Sequence, residues 1–180
     1  MKERIYTIAI NEAFGQDTEC PLCICERKLE NDALEYTLGP AMMEPDGRIR
    51  TNGSGFCREH FTRLYNMQQN RLPLALIIDT HMEEQTKGLE GIYKKYESAI
   101  RQEIGRGAVN SVLDGITRKS ASGKAAEELL KKLDALESTC AVCDRVHENM
   151  ERLIENTLYL YQQEPDFRKK FMESKGFCLR

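Results

Sequence analysis

Apolar residues recur at helical spacing along most of the chain. The longest stripe follows Pro73 and contains nine positions: Leu74, Ile77, Ile78, His81, Gln85, Leu89, Ile92, Tyr96 and Ile100. Residues three and four apart share one face of a helix, so this stripe predicts a long amphipathic helix. No segment shows the alternation of apolar and polar residues that is typical of a strand. The pattern therefore predicts an all-α protein.

Shorter segments on both sides of this stripe show the same period. They predict helices over 4–13, 23–43, 57–69 and 124–137, with Pro73 ending or kinking the third. The fourth helix would bury four leucines: Leu129, Leu130, Leu133 and Leu136. Residues 44–47, Glu-Pro-Asp-Gly, are typical of a turn, and residues 51–55 of a loop that leads to Cys57. Residues 105–124 carry four glycines and predict a flexible connection.

Six of the seven cysteines fall in a pattern that occurs twice. Cys20-Pro-Leu-Cys23 precedes a distant Gly-Phe-Cys57, and Cys140-Ala-Val-Cys143 precedes a distant Gly-Phe-Cys178. A shift of 120 residues superposes the Cys-x-x-Cys pairs and also the Glu-Pro-Asp segments at 44–46 and 164–166. Because ordinary residues keep this register, we interpret the pattern as a duplication. It predicts one domain over 1–180, with pseudo-repeated zinc-site modules at 20–60 and 140–180 joined by a central helical segment over 61–139.

The first copy supplies four ligands of the kind that zinc prefers: Cys20, Cys23, Cys57 and His60. Three thiols and one imidazole at these spacings are typical of a closed, tetrahedral structural zinc site. Pro21 suits the first turn of a helix, and Cys57 and His60 lie three apart on one helix face. The long gap between Cys23 and Cys57 is no obstacle, because structural zinc contributes about 10–16 kcal/mol and closure entropy grows slowly with loop length.

The second copy supplies three thiols: Cys140, Cys143 and Cys178. The position that corresponds to His60 is one residue beyond Arg180, so we expect either a clipped chain or a second site completed by another ligand. His147 follows Cys143 by one turn, but its counterpart is Arg27, and we interpret it as a surface histidine. The predicted cofactor is therefore zinc, with the second site incomplete.

Other chemical groups are less specific. Cys25 has no counterpart in the second copy and is interpreted as a buried or spare thiol. His81 and Glu84 lie three apart on the long helix, but the matching motifs of a di-metal bundle are missing from the sequence, which favours a solvated or interface polar cluster. The sequence contains no phosphate loop, nucleophile elbow or recognisable triad, so we expect a protein that is not an enzyme.

Charge and hydropathy exclude several classes of function. A net charge of −3 and a pI of about 5.7 argue against attraction to nucleic acid or to an anionic membrane. No apolar run reaches the roughly 18 residues of a membrane span, and the N-terminus becomes polar at Asn11 before a signal-peptide core could form. We therefore expect a cytoplasmic protein. In that reducing compartment clustered thiols more often bind metal or do redox chemistry than form disulfides.

The chain resembles an uncharacterised bacterial family whose members carry a Cys-Pro-x-Cys…Gly-Phe-Cys-x-x-His unit twice. The resemblance covers essentially the whole chain and rests on residues 5–8 and 11–14, Cys20-Pro-Leu-Cys23, Met43-Glu-Pro-Asp46 and Gly55-Phe-Cys57-x-x-His60. It implies two metal-type clusters on a helical scaffold, with ligands at the positions named above. It implies no established activity.

Together these observations predict a zinc-stabilised helical protein that presents surfaces to a protein partner or to a second copy of itself. A thiol-based redox protein or sensor that uses the two Cys-x-x-Cys pairs is the alternative. The βαβ context of thioredoxin-like motifs is missing from the sequence, which favours the first interpretation. Binding of nucleic acid through zinc modules is a distant third, because the chain carries no basic, aromatic-lined stripe.

Overall fold

The structure is a computed structural model that describes residues 4–67, 71–105 and 120–178. Within those ranges the protein is all-α, as predicted, and contains eight α-helices, one short 3-10 turn and no strand. The helices are α1 Arg4–Phe14, α2 Pro21–Leu38, α3 Pro45–Ser54, α4 Arg58–Asn66, α5 Arg71–Gly105, α6 Ala121–Ser138, α7 Ala141–Gln163 and α8 Pro165–Glu173. The 3-10 turn, Pro40–Met42, follows α2. None of the helices in the described ranges has the length and apolar character needed to cross a membrane.

The chain divides into two compact units. Unit 1 comprises residues 1–39 and 142–180, and unit 2 comprises residues 40–141. Similar local elements recur in the two predicted repeats, since α2 and α7 each begin directly after a cysteine, and α3 and α8 each begin at a proline that follows a glutamate. The repeats themselves, and the single domain over 1–180, stay predictions.

Unit 1 has an apolar core to which four helices contribute. Its fully buried members are Ile10, Ala13, Phe14, Cys25, Leu153, Leu160 and Phe167. The ring of Phe14 lies 5.0 Å from that of Phe167 and 5.6 Å from that of Phe171, measured between centroids. Complete burial of a side chain of this size contributes about 1.5–3 kcal/mol. The core therefore joins α1 and α2, from the start of the chain, to α7 and α8 from its end.

Unit 2 is organised around α5, which packs against α3, α4 and α6. All nine positions of the predicted stripe are buried or half-buried, so the prediction for this helix is confirmed. Pro73 lies in the first turn of α5, where a missing N–H removes no helical hydrogen bond. Further along, Lys95 and Tyr96 of α5 both donate hydrogen bonds to the carboxylate of Glu128 on α6.

Two local predictions were wrong. Most of the predicted turn at 44–47 and of the predicted loop at 51–55 is helical, because Pro45 and Asp46 are as favourable in the first turn of a helix as in a turn, and α3 continues to Ser54. The predicted apolar face of α6 is wrong at Leu130 and Leu133, which are 59% and 44% exposed, whereas Leu129 and Leu136 are half-buried and the buried residue is Ala125. The predicted flexible connection falls mainly on residues 106–119, which lie outside the described ranges.

Candidate metal centres

The turn at the end of α3 sets the position of Cys57 and His60. Gly55 follows α3 with a φ of 60°, a value that residues with a side chain rarely adopt. The chain then reverses into α4, so that Cys57 directly precedes this helix and His60 lies in its first turn. The spacing of three places the thiol and the imidazole on one side of the helix start.

The segment before α7 is held against the same turn. The Ala141 N–H donates to the Gly55 carbonyl at 2.9 Å, and the Thr139 hydroxyl donates to the Ser54 carbonyl at 2.9 Å. Cys140 lies between these two anchored residues. Two hydrogen bonds thus bring a thiol from residue 140 to the side chains at residues 57 and 60.

Four side chains form the first candidate site, which we call the Cys₃His group: Cys57, His60, Cys140 and Cys143. The Nδ1 atom of His60 lies 3.2 Å from the Cys57 sulfur and 3.3 Å from the Cys140 sulfur. Cys143 lies in the first turn of α7, beside Cys140 by local helix geometry, and the four ligand atoms are all within 4.8 Å of one another. Tetrahedral zinc with ordinary bond lengths requires separations of about 3.5–3.8 Å. The two sulfur–nitrogen separations are a few tenths of an ångström shorter than this, so small shifts of the side chains would make the donor set fit zinc.

Two of the four ligands in the Cys₃His group are buried. His60 and Cys140 are 6% and 3% exposed, Cys57 is half-buried, and Cys143 is exposed. Buried sulfur and nitrogen donors that face one another are typical of structural zinc sites, in which all four ligands come from the protein.

Two residues of α5 support the turn that carries Cys57. His81 Nδ1 and Gln85 Nε2 lie 2.7 and 2.8 Å from the carbonyl oxygen of Asn52, near the end of α3. The ring of His81 also lies so close to Gly55 that a Cβ at residue 55 would be 2.8 Å from it. The sequence interpretation of His81 as part of a polar cluster with Glu84 missed this role. The signal was the placement of His81 and Gln85, four apart, inside an otherwise apolar stripe.

The second candidate site belongs to unit 1, and we call it the three-thiol group: Cys20, Cys23 and Cys178. Cys20 precedes α2, Cys23 lies in its first turn, and Cys178 follows the turn at Gly176, which has a φ of 104°. The sulfurs of Cys23 and Cys178 are 3.1 Å apart, and all three sulfurs lie within 4.8 Å of one another.

The close thiols of unit 1 perturb one another. Burial raises the pKa of Cys20, but the backbone N–H groups of Cys178 and Cys23 and the thiols of the same residues outweigh it and lower this pKa to about 7. Hydrogen bonds from Cys23 to Cys178 and to Cys20, in that order of size, raise the pKa of Cys23 to about 12. One thiolate stabilised by its neighbours is the electrostatic arrangement that a metal cation prefers.

An open cavity of about 540 Å³ adjoins the three-thiol group. The three cysteines line it together with two cationic side chains, Arg27 and Lys175, and with Glu19. Cys178 is exposed and Cys23 half-buried, so both sulfurs can be reached from solvent. The three-thiol group thus lies at an open cavity with charged walls.

All seven predicted ligands lie in these two groups, but the predicted partners were wrong. The first site was expected to unite Cys20 and Cys23 with Cys57 and His60, whereas the structure joins each Cys-x-x-Cys pair to the other Gly-Phe-Cys segment. The reason is long-range: the hydrogen bonds from Thr139 and Ala141 to the end of α3 hold Cys140 beside Cys57 and His60. That the groups bind metal, and that the metal is zinc, stays a prediction at this stage.

The remaining candidates behave as expected. His147 is a surface histidine, whose Nε2 lies 3.3 Å from Glu151 with a side chain that is 78% exposed. Cys25 is a buried thiol inside the core of unit 1, and burial raises its pKa to about 11.

Comparisons with known proteins give a family and no activity. A family model described as a family of unknown function, DUF6062, matches residues 1–180. No curated protein and no solved structure matches the chain.

Proposed function

The chain belongs to the DUF6062 family, and from that premise we propose that it is a zinc-stabilised helical protein whose Cys₃His group is a closed structural zinc site. The observation that carries this proposal is the convergence of two thiols on one imidazole nitrogen, Cys57 and Cys140 on His60, at 3.2 and 3.3 Å. Within unit 2, bound zinc would hold the start of α4, which carries Cys57 and His60, to Cys140.

The donor set favours zinc over other metals. Three thiols and one imidazole are soft and borderline ligands, which disfavours magnesium and calcium, and a tetrahedral arrangement suits zinc. A structural zinc ion contributes about 10–16 kcal/mol in small modules. A contribution of that size is comparable to the whole stability of an ordinary domain, about 5–15 kcal/mol. The fold of unit 2 should therefore depend on the metal.

The role that follows is structural, and we propose a scaffold or interaction protein of the cytoplasm. Closed ligation leaves no position for a substrate, and zinc held by thiolates needs the reducing conditions of that compartment. The partner would be another protein or a second copy of the chain, because the acidic balance of the chain disfavours nucleic acid.

Removal of the histidine ligand tests the proposal. His60→Ala should lose one zinc per chain in native mass spectrometry and lower the thermal midpoint, since a ligand and its metal are both lost. His147→Ala is the matched control, because it removes an exposed histidine whose contact is with Glu151 on the surface. Equal zinc content in the two variants would contradict the assignment, and so would purified, reduced parent protein that carries no zinc.

One observation favours a second function, the thiol-based redox protein. The sulfurs of Cys23 and Cys178 are 3.1 Å apart and accessible. Oxidation by hydrogen peroxide would convert the two thiols into one disulfide and the peroxide into two water molecules. This alternative requires a reversible Cys23–Cys178 disulfide at a potential near that of the cytosol, measurable by thiol labelling in a glutathione redox buffer. A pair that stays reduced across that range would exclude it.

A further inference from the structure

The three-thiol group differs from the Cys₃His group in its number of protein ligands and in its surroundings. Its three sulfurs face an open cavity of about 540 Å³, within the usual range for small-molecule sites. In the part of the chain that the structure describes, three thiolates make up the group, which leaves one position of a tetrahedral metal free, and a metal held in this way accepts an external ligand.

The walls of the cavity indicate which ligand would fit. Arg27 and Lys175 supply two cations, and Glu19 supplies one anion. Arg27 is held at the cavity by a hydrogen bond from its Nε to the Cys23 carbonyl at 3.3 Å. Lys175 pairs with Asp17 at 2.6 Å, but both side chains are largely exposed, and such a surface pair is weak enough to exchange for a ligand carboxylate.

We propose that the three-thiol group holds a metal ion with a coordination position open to the cavity, and that this position takes a small thiol that bears carboxylates. The sulfur of the ligand donates an electron pair to the metal and its proton passes to solvent. The carboxylates of the ligand pair with Arg27 and Lys175, and an ammonium group of the ligand would pair with Glu19. The inference rests on the proposed metal binding, but concerns a different site from the closed one.

Cobalt gives the measurement, because its visible spectrum reports the number and kind of ligands. The protein is loaded with cobalt, the stoichiometry is determined, and glutathione is added as the probe. We expect a change in the cobalt bands that saturates with added thiol and corresponds to one ion per chain. In Cys178→Ser the change should disappear while one cobalt ion remains bound in the Cys₃His group.

Charge variants test the ligand class. Arg27→Gln and Lys175→Gln should each weaken glutathione binding about five-fold while leaving the affinity for 2-mercaptoethanol, which carries no charge, unchanged. Lys169→Gln is the matched control, because Lys169 is an exposed lysine of α8 in the same unit that pairs with Glu173. Its affinity for both thiols should equal that of the parent.

Three results would overturn the inference. An unchanged spectrum with two cobalt ions bound would mean that the protein already supplies the fourth ligand. Loss of cobalt to the thiol, seen by dialysis, would mean removal of the metal rather than coordination. Equal effects of the charge variants on both thiols would reject the ligand class. Failure of the proposed structural site is distinct, because Cys178→Ser would then bind no cobalt at all.

Discussion

Gly55→Ala tests the turn that brings Cys57 to His60. Gly55 has a φ of 60° and a ψ of −148°, a region of backbone conformation that is essentially confined to glycine. A Cβ added there would lie 2.8 Å from both Cε1 and Nε2 of His81. The ring cannot move away freely, because its Nδ1 is 2.7 Å from the Asn52 carbonyl oxygen. The substitution must therefore strain the backbone and displace the histidine.

The size of the effect follows from these two contributions. A residue with a side chain in this region costs about 1–3 kcal/mol, and loss of one hydrogen bond costs about 1 kcal/mol more. We expect the free energy of unfolding to fall by about 2–4 kcal/mol. Zinc affinity should also fall, about 10- to 100-fold, because the turn orients a ligand two residues later.

The assay is urea unfolding of the zinc-loaded protein, followed by far-UV circular dichroism, with zinc affinity measured by competition with a chelator. Gly53→Ala is the control. Gly53 lies in the last turn of α3, where an added Cβ would meet no atom within 4 Å. Alanine there should leave zinc affinity unchanged and stabilise the helix by about 0.5–1 kcal/mol.

A double-mutant cycle separates the two contributions. His81→Ala combined with Gly55→Ala removes the collision but leaves the backbone strain, so the pair should show a coupling of about 1 kcal/mol. The reasoning is refuted if Gly55→Ala behaves like Gly53→Ala, because a residue in this turn would then tolerate a side chain. If the effects of the two substitutions on the free energy of unfolding are additive, the proposed collision between residue 55 and His81 is refuted.

Three further substitutions follow from the packing and electrostatics. Phe167→Ala should destabilise the protein by about 3–5 kcal/mol in urea unfolding, because this ring is 1% exposed and leaves a cavity; a loss below about 1 kcal/mol would contradict its burial. Burial raises the pKa of Cys25 to about 11, so the unfolded chain releases this proton first and stability should fall between about pH 9 and pH 11, a decline that Cys25→Ala should lessen. The Glu103 carboxylate accepts from the Ala121 and Ser122 N–H groups, and Glu103→Gln should cost about 1 kcal/mol by the same assay.

The elements of this fold were predictable wherever a periodic pattern had one interpretation. The stripe from Leu74 to Ile100 could only be one face of a helix, and the structure buries or half-buries each position. The segment at Pro45 was misjudged because proline followed by aspartate suits both a turn and a helix start. Helix α6 has more leucines than it has buried positions. The positions of its leucines therefore could not identify the face that packs.

The ligands were predictable one by one, but their partners were not. Spacing shows which side chains can converge locally, such as Cys140 with Cys143 or Cys57 with His60. Long-range contacts decide which Cys-x-x-Cys pair lies beside which Gly-Phe-Cys segment. Here these are the hydrogen bonds from Thr139 and Ala141 to the end of α3, and no sequence pattern encodes them.

In the structure each group takes its ligands from both sequence copies. This arrangement predicts different metal losses from one in which each site takes its ligands from a single copy. If Cys57 and Cys140 bind the same ion, Cys57→Ser, Cys140→Ser and the double variant should each lose one metal per chain. Cys57→Ser combined with Cys20→Ser should lose two, because these residues belong to different groups. If each copy supplied its own site, the two double variants would behave the other way round. Cys57→Ser with Cys20→Ser would lose one metal, because these residues would share an ion, and Cys57→Ser with Cys140→Ser would lose two. Native mass spectrometry of the four variants decides between the two arrangements, and circular dichroism of each variant separates loss of a ligand from loss of the fold.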